Sequence, residues 1–179
     1  LNVGIIGATG MVGQRFITLL SDHPWFNIVT LAASARSANK TYKEAVGSRW
    51  VMDMPVPDYI NEMTVLDATN DAEKIASMVD IVFCAVDMPK DEIRALEEKY
   101  ARLEVAVISN NSAHRNTPDV PMIIPELNAD HSEVITAQKA RLGTKKGFIA
   151  VKSNCSLQSY VPALFPLSKF GITKALACT

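Results

Sequence analysis

The sequence has 179 residues, 48% apolar and 21% charged, which suits one globular domain, or one domain and part of a second, and excludes a disordered chain. Its net charge of −1 comes from 18 basic and 19 acidic side chains, so the chain lacks the basic field that attracts nucleic acid or an anionic membrane. We find no run of about 18 apolar residues and no signal peptide, and we therefore expect a protein of the reducing cytoplasm.

A glycine-rich turn follows the first predicted strand. Residues 2–6 predict a strand, and residues 7–13 (GATGMVG) lead from it into an amphipathic helix that ends near residue 22. The apolar face of this helix is predicted to contain Val12, Phe16, Leu19 and Leu20. Glycines let the backbone approach a pyrophosphate, whose charge is balanced by the helix N-terminus. The spacing G-x-x-G-x-x-G therefore predicts nucleotide binding, and the alternative is a purely structural tight turn.

The loop after the second predicted strand, residues 28–32, indicates which dinucleotide is bound. An NAD-preferring site would place Asp or Glu here to hold the ribose 2′-hydroxyl, and this loop has neither. It offers Arg36 between Ser34 and Ser37 instead. A guanidinium and two hydroxyls suit a 2′-phosphate, so we predict a preference for NADP(H). The alternative is a solvated loop with one incidental arginine.

Further along the chain, strands and helices alternate. The predicted elements are an irregular stretch with one short helix over residues 41–63, a strand over 63–66, a helix over 71–78 capped by Asp71, a strand over 81–86, a helix over 89–102 and a strand over 105–108. This order predicts an α/β fold with a doubly wound, mostly parallel Rossmann-type sheet. Ligands of such sheets bind beyond the carboxyl ends of the strands, which here include residues 85–87 and the segment after residue 108.

The segment over residues 109–115 (SNNSAHR) is rich in hydrogen-bond donors and lies at such a strand end. Arg115 can clamp a phosphate or a carboxylate with two parallel hydrogen bonds. His114 is the more obvious candidate for proton transfer, but a single histidine in a loop is more often a surface or hydrogen-bonding residue. A helix is predicted to follow over residues 129–141.

Cys155 lies where a predicted strand, residues 147–151, turns into a helix. The helix pattern rests on Leu157, Tyr160, Val161, Leu164 and Phe165. Free backbone N–H groups and the helix dipole stabilise a thiolate at that position, and Lys152 adds a positive charge. The alternative is a small buried apolar residue. Cys84 and Cys178 lie in apolar runs that are predicted to be buried, so both are expected to be packing residues. Because the three cysteines are odd in number and not closely spaced, neither a disulfide framework nor a zinc site is expected.

Five motifs occur in an order and at a spacing typical of one enzyme family. They are residues 7–13 (GATGMVG), 34–37 (SARS), 109–115 (SNNSAHR), 125–128 (PELN) and 153–156 (SNCS). On these motifs the sequence resembles aspartate-semialdehyde dehydrogenase, most closely its archaeal and fungal-type branch. The resemblance implies NADPH-dependent reduction of β-aspartyl phosphate to aspartate semialdehyde, with release of phosphate, on the route to lysine, threonine, methionine and isoleucine.

The resemblance also implies roles for single residues. Cys155 matches the nucleophile, Asn154 its neighbour in the substrate site, and Arg115 the arginine that receives the substrate phosphate. The residues that match the cofactor site are Gly7, Thr9, Gly10, Met11, Val12, Gly13, Ser34, Arg36, Ser37 and Ala85. Attack of Cys155 on the acyl phosphate would give a thioester, which hydride transfer from the nicotinamide would reduce to the aldehyde.

Members of this family are about twice as long as this chain. We therefore expect residues 1–152 to form the NADP-binding domain, and residues 153–179 to supply the first helix and strand of an α+β catalytic and dimerisation domain that is otherwise absent. The family's active-site glutamine, its acid–base histidine and the arginine that holds the substrate carboxylate are expected beyond residue 179. We expect the chain alone to be inactive, and the full-length protein to which it belongs to be a homodimer or homotetramer.

Three alternatives to this function stay open from the sequence. One is an N-acetyl-glutamyl-phosphate reductase, although that enzyme usually has His-Pro-Gly before its cysteine. Another is a malonyl-CoA reductase, which shares these motifs. The third belongs to a different class, a non-catalytic NADP-binding module in which Cys155 is structural or redox-sensing.

Overall fold

The computed structural model describes residues 1–177 of the chain. Its strands are β1 (Asn2–Ile6), β2 (Asn27–Ala33), β3 (Val65–Asp67), β4 (Ile81–Cys84), β5 (Ala106–Ser109), β6 (Met122–Ile123) and β7 (Phe148–Lys152). Its α-helices are α1 (Met11–Leu20), α2 (Tyr42–Val46), α3 (Asp58–Asn61), α4 (Ala72–Ala76), α5 (Lys90–Arg102), α6 (Pro125–Asn128), α7 (Ile135–Leu142) and α8 (Cys155–Leu164). Three 3₁₀ segments cover Gly47–Arg49, Ala129–Val134 and Phe165–Phe170.

The strands form one seven-stranded sheet in the order β3-β2-β1-β4-β5-β7-β6, and every adjacent pair is parallel. The order runs outward in both directions from β1 and β4, which confirms the predicted doubly wound sheet. Register aligns the strand ends: Ile6 pairs with both Ala32 and Cys84, and Ser109 pairs with both Cys84 and Val151. The turns that carry the predicted motifs therefore meet at one edge, beside the switch point where such sheets bind ligands.

Two apolar clusters cover the two faces of the sheet. Side chains of β1 alternate between them, since Val3 and Ile5 pack in one cluster and Ile6 packs in the other. Because helices cover both faces, the central strands are continuous apolar runs, which is why the sequence located them well. None of the helices within residues 1–177 is long and apolar enough to cross a membrane.

The orientation of α1 differs from the prediction. The residues it buries are Gly13, Gln14, Ile17 and Leu20, whereas Leu19 is 56% exposed. The physical reason is Gly13, where an added Cβ would lie 2.3 Å from the carbonyl oxygen of Gly7. The helix can pack this closely only with Gly13 facing the turn, which places Gly13 and Gln14 on the buried face and Leu19 outside it. Leu20 is buried as predicted, and Phe16 is partly buried and packs against the core.

Several element boundaries also differ. The irregular stretch before β3 contains two short helices, α2 and α3, and not one. Asp71 precedes α4 but does not cap it, because its carboxylate accepts the backbone N–H of Asp67 at 2.8 Å. The helix predicted over residues 129–141 begins as a 3₁₀ segment and becomes α-helical only at Ile135.

The C-terminal part of the described chain is helical but exposed. Helix α8 forms where predicted, and none of its residues is buried. The strand expected after it is not found, since residues 171–177 form no regular structure and do not pair with the sheet. The run Ala175–Ala177, which was predicted to be buried together with Cys178, is exposed. Cys178 lies outside the described residues.

Candidate active site

A cavity of about 390 Å³ lies at the carboxyl edge of the sheet, above β1 and its neighbours. Its walls are the turns that follow four strands. They contribute Gly7, Thr9 and Gly10 after β1; Ala33, Ser34 and Ala35 at the end of β2; Asp67, Ala68, Thr69 and Asn70 at the end of β3; and Ala85, Val86, Asp87 and Met88 after β4. Three of these four turns were predicted, and the turn after β3 was not.

The glycine turn after β1 has a shape that side chains would not allow. Gly7 has φ +89°, and a Cβ there would lie 2.1 Å from the carbonyl oxygen of Ala85. At Gly10 the nearest atom to an added Cβ is 3.5 Å away. Gly7 is therefore required by the fold, whereas Gly10 leaves the turn open beside the cavity. A ligand can approach the backbone closely at that point.

The first turn of α1 is the natural place for a pyrophosphate. The first hydrogen bond within the helix runs from Gln14 N–H to the carbonyl oxygen of Gly10 at 2.9 Å. The amides of Met11, Val12 and Gly13 precede that bond and have no acceptor within the helix. Such amides, together with the positive end of the helix dipole, bind phosphate groups. The residues present here fit a dinucleotide cofactor.

Two buried side chains that the sequence did not indicate hold the glycine turn from beneath. The Tyr42 hydroxyl donates to the carbonyl oxygen of Ala8 at 2.9 Å, and burial raises the pKa of this phenol although Arg49 opposes the effect. Gln14 donates to the carbonyl oxygens of Thr9 and Arg49 at 3.1 and 2.9 Å. Both are single polar residues in helices, so no local pattern could identify them.

The loop after β2 is arranged as an exposed turn. Ser34 lines the cavity, and Arg36 is exposed beside it. Ser37 is buried, and its N–H donates to the carbonyl oxygen of Ser34 at 2.8 Å, which closes the turn. The backbone of Ser37 thus shapes the loop that presents Arg36. Cofactor contacts by Arg36 and Ser37 stay predictions.

The turn after β3 is organised by Asp67. This carboxylate accepts the N–H groups of Thr69 and Asn70, both at 2.8 Å, and the Asn70 amide at 3.1 Å. Burial acts to raise the pKa of Asp67, but these hydrogen bonds outweigh it and hold the pKa below its ordinary value. The local signal was an Asp at a strand end before Thr and Asn, a pattern typical of such turns.

Cys155 lies at the other half of the sheet edge, past the end of β7. It is the first residue of α8, its side chain is exposed, and it forms no disulfide with another of residues 1–177. Asn154 caps the helix, since its side-chain oxygen accepts the N–H of Ser156 at 2.8 Å. The predicted position of Cys155 at a strand-to-helix turn is confirmed. An exposed thiol at a capped helix N-terminus is placed to act as a nucleophile.

Arg115 and Cys155 are brought to the same place. The Arg115 guanidinium donates to the carbonyl oxygens of Lys152 and Ser153, at 3.2 and 3.3 Å, in the turn just before Cys155. Burial lowers the pKa of Lys152; the Cys155 thiolate opposes this shift, and Arg115 adds to it. Lys152 lies in the turn that leads to Cys155, and Arg115 contacts the same turn from the segment after β5. Two cations near an exposed thiol are suited to an anionic ligand.

His114 does not belong to this group. Its ring is 1% exposed, and its Nδ1 lies 3.1 Å from the Thr117 hydroxyl. Burial lowers the pKa of His114, against the opposing influence of the Glu97 carboxylate. Cys84 is buried as predicted, and burial raises the pKa of its thiol. Both residues are buried, and neither lines the cavity.

The arrangement agrees with comparisons against known proteins. The profile of the semialdehyde dehydrogenase NAD-binding domain matches residues 2–135. A relative from Methanothermobacter thermautotrophicus, named aspartate-semialdehyde dehydrogenase, is 43% identical over 93% of this chain and 46% of its own length. A relative of the same name from Schizosaccharomyces pombe is 42% identical over 90% of this chain and 43% of its own length.

A solved structure also superimposes on the chain. It is a crystal structure of aspartate semialdehyde dehydrogenase with NADP from Candida albicans, with a TM-score of 0.80 and 38% identity. The superposition covers 96% of this chain and 48% of the Candida chain. The chain thus spans about half the length of the relatives that it matches.

Proposed function

The chain belongs to the semialdehyde dehydrogenase family, whose NAD-binding domain it contains, and from this premise we propose that the full-length natural protein reduces β-aspartyl phosphate to aspartate semialdehyde with NADPH. The observation that carries the proposal is the turn in which an exposed Cys155 begins α8 while the Arg115 guanidinium contacts the two residues before Asn154. The names of the relatives support the substrate. They favour neither a malonyl-CoA reductase nor an N-acetyl-glutamyl-phosphate reductase.

The chemistry follows from the groups in this turn. Arg115 binds the phosphate of the substrate, and the Cys155 thiolate attacks the adjacent carbonyl carbon, which forms a thioester and expels phosphate. Because Asn154 accepts hydrogen bonds from the N–H groups of Ser156 and Leu157, the N–H of Cys155 is the amide at the start of α8 that can stabilise the oxyanion formed during this attack. Bound NADPH supplies the hydride that reduces the acyl group. Asn154 keeps the first turn of α8 in place through its bond to Ser156.

We propose NADP(H) as the cofactor, held at the cavity above β1. The proposed contacts are Gly7, Thr9, Gly10, Met11, Val12, Gly13, Ser34, Arg36, Ser37 and Ala85. Three features support this: the open glycine turn, the amides at the start of α1, and an exposed Arg36 with no free carboxylate in its loop. Asp67 also lines the cavity, at the end of β3, where its oxygens accept hydrogen bonds from the turn that it forms. The NADP named with the Candida structure agrees.

We also propose a domain boundary at Lys152. Residues 1–152 contain the whole sheet, whereas α8 and the 3₁₀ segment after it have no buried residue. Phe165, Leu167 and Phe170 are each about half exposed or more, which supports a catalytic and dimerisation domain that begins here and a homodimeric or homotetrameric protein. A thiol nucleophile operates in a reducing compartment, which supports the cytoplasm.

The test is a substrate panel with the full-length natural protein. NADPH consumption is followed with β-aspartyl phosphate, N-acetyl-glutamyl phosphate and malonyl-CoA, and the reverse reaction with aspartate semialdehyde, phosphate and NADP⁺. We expect turnover with the aspartyl substrate, no turnover in Cys155→Ser, and retained turnover in Cys84→Ser. Preference for another acyl substrate would replace the proposed substrate, and activity in Cys155→Ser would refute the mechanism.

A further inference from the structure

A buried carboxylate on α5 lies beneath the segment that carries Arg115. Glu97 is 0% exposed. Its Oε1 accepts hydrogen bonds from the Ser109 hydroxyl at 2.5 Å and from the Asn111 amide at 2.8 Å. The Ser109 oxygen in turn accepts the Asn111 backbone N–H at 3.0 Å. Glutamate is among the residues least often fully buried, and burial is costly unless its oxygens are bonded.

The second oxygen of Glu97 faces His114. Glu97 Oε2 and His114 Nε2 are 3.9 Å apart, and neither atom has a hydrogen-bond partner within residues 1–177. The other ring nitrogen of His114 lies 3.1 Å from the Thr117 hydroxyl, which fixes the plane of the ring. The His114 ring thus lies beside the second oxygen of Glu97 without a hydrogen bond to it. Three polar neighbours of this carboxylate, Ser109, Asn111 and His114, belong to the segment over residues 109–117, and the Cys84 thiol of β4 also lies close to it.

This segment ends at the candidate active site. It leaves β5 at Ser109 and reaches Arg115, whose guanidinium contacts the carbonyl oxygens of Lys152 and Ser153. A second bond from α5, from Arg94 Nε to the carbonyl oxygen of Ala113 at 2.9 Å, holds the same segment from the side. A displacement of the segment would move Arg115 relative to the turn before Cys155.

We propose that Glu97 is a positioning residue of the active site, whose buried carboxylate holds residues 109–114 and thereby fixes the Arg115 guanidinium beside Cys155. The inference rests on the proposed function only in naming the anion that Arg115 binds, the phosphate of the substrate. Stability alone does not require such a group, since apolar replacements of buried charged groups are often neutral or stabilising. The effect that we expect of Glu97 is on arrangement and not on stability: a carboxylate with three polar neighbours in one segment fixes that segment in a single conformation.

The test compares two neighbouring glutamates of α5 in the full-length natural protein. Glu97→Gln keeps the size of the side chain but removes its charge and one acceptor. Glu98→Gln is the matched control, because Glu98 pairs with Arg102 and Arg141 and not with the segment. We expect Glu97→Gln to raise the KM for inorganic phosphate in the reverse reaction by about tenfold, which corresponds to about 1.4 kcal/mol of lost binding. The KM for NADP⁺ should not change, and Glu98→Gln should alter neither constant.

A double-mutant cycle tests whether Glu97 acts through Arg115. Arg115→Lys keeps the charge but loses the paired contacts with the turn. If Glu97 acts through Arg115, adding Glu97→Gln to Arg115→Lys raises the KM for phosphate much less than it does in the wild type. Full additivity would contradict the proposal. If Glu97→Gln lowered kcat and raised the KM for phosphate and the KM for NADP⁺ by similar factors, the variant would be generally destabilised. That result would also contradict the proposal.

Hydrogen exchange gives a readout that does not depend on activity. Amides of residues 110–115 should exchange faster in Glu97→Gln than in Glu98→Gln, and Ser109→Ala should give a smaller change in the same direction. Should Glu97→Gln fail to fold, Ser109→Ala carries the same tests. If the wild type does not reduce β-aspartyl phosphate, the proposed function fails, and this exchange pattern alone decides the positioning role. If the wild type is active and both variants match Glu98→Gln, the positioning role fails while the function stands.

Discussion

The glycine turn after β1 offers a quantitative test of the cofactor site, because two of its glycines should respond very differently to the same substitution. In Gly7→Ala, the new Cβ would lie 2.1 Å from the carbonyl oxygen of Ala85 and 2.6 Å from its carbon, both rigid backbone atoms at the end of β4. The φ angle of +89° adds strain. In Gly10→Ala, φ is −78° and the nearest atom is 3.5 Å away.

The expected costs follow from these distances. A left-handed backbone costs an L-residue roughly 1–2 kcal/mol, and overpacking costs about 1–3 kcal/mol. Gly7→Ala should therefore lower the free energy of unfolding by about 2–5 kcal/mol. Gly10→Ala should lower the free energy of unfolding by about 1 kcal/mol, since alanine is a poorer N-cap than glycine. Gly10→Ala should nevertheless weaken NADPH binding, because its Cβ would project where the backbone borders the cavity.

Native-state hydrogen exchange in the full-length protein measures the difference locally. The amide of Ala85 donates to the carbonyl oxygen of Ile6 at 2.8 Å, so it reports on the junction that Gly7→Ala disturbs. A loss of about 2 kcal/mol or more corresponds to exchange about 30-fold faster or more at this amide. Equal protection of this amide in Gly7→Ala and Gly10→Ala would refute the close contact on which the site is built.

Four further predictions concern single side chains. Arg36→Ala should weaken NADP(H) binding by roughly 1.5–3 kcal/mol and leave NAD(H) unchanged; titration of both cofactors tests this, and equal losses would contradict it. Arg115→Leu should reduce turnover of the acyl phosphate while NADPH affinity, measured by fluorescence titration, is retained. Cys155→Ser should abolish acyl transfer in single-turnover assays without affecting cofactor binding, because a hydroxyl is a far poorer nucleophile. Hydrogen bonds from the N–H groups of residues 147, 145 and 146 lower the pKa of Glu104 to about 2. The contribution of Glu104 to stability is therefore present above pH 4.5 and is lost as the pH falls toward 2. In Glu104→Gln, the urea midpoint of unfolding should fall less steeply with decreasing pH across this range.

Strand positions and the Cys155 turn could be predicted because their signals are local. A strand buried on both faces is a continuous apolar run, and β1, β2, β4, β5 and β7 all have this form. The turn before α8 combines such a run with polar residues and a helical period. The edge strand β6 has two residues and pairs only with β7, so it carried no such signal and was missed.

What the sequence could not provide depends on contacts between distant residues. The contact of Arg115 with Lys152 and Ser153 joins residues 37 and 38 positions apart. The orientation of α1 follows from a backbone contact at Gly13, and the spacing of apolar residues along the helix does not reveal that contact. Glu97 has the sequence context of an ordinary surface residue in a charged helix, and only the position of the strand β5 beneath it makes the carboxylate buried.

The sheet order places the segment over residues 109–115 between the glycine turn and the Cys155 turn, a position that its own sequence does not indicate. The glycine turn follows β1 and the Cys155 turn follows β7, and between them lie β4 and β5. Three strand spacings of about 4.8 Å separate the two turns along the edge, or roughly 14 Å. Any ligand that contacts both turns must therefore cross the ends of β4 and β5. Residues 109–115 form the second of these crossings and also carry Arg115. In the proposed mechanism, an error in their position would therefore disturb both the approach to Cys155 and the binding of the substrate phosphate. A rigid anchor beneath this segment, rather than within the cavity, is consistent with a site whose two halves are built on separate strands.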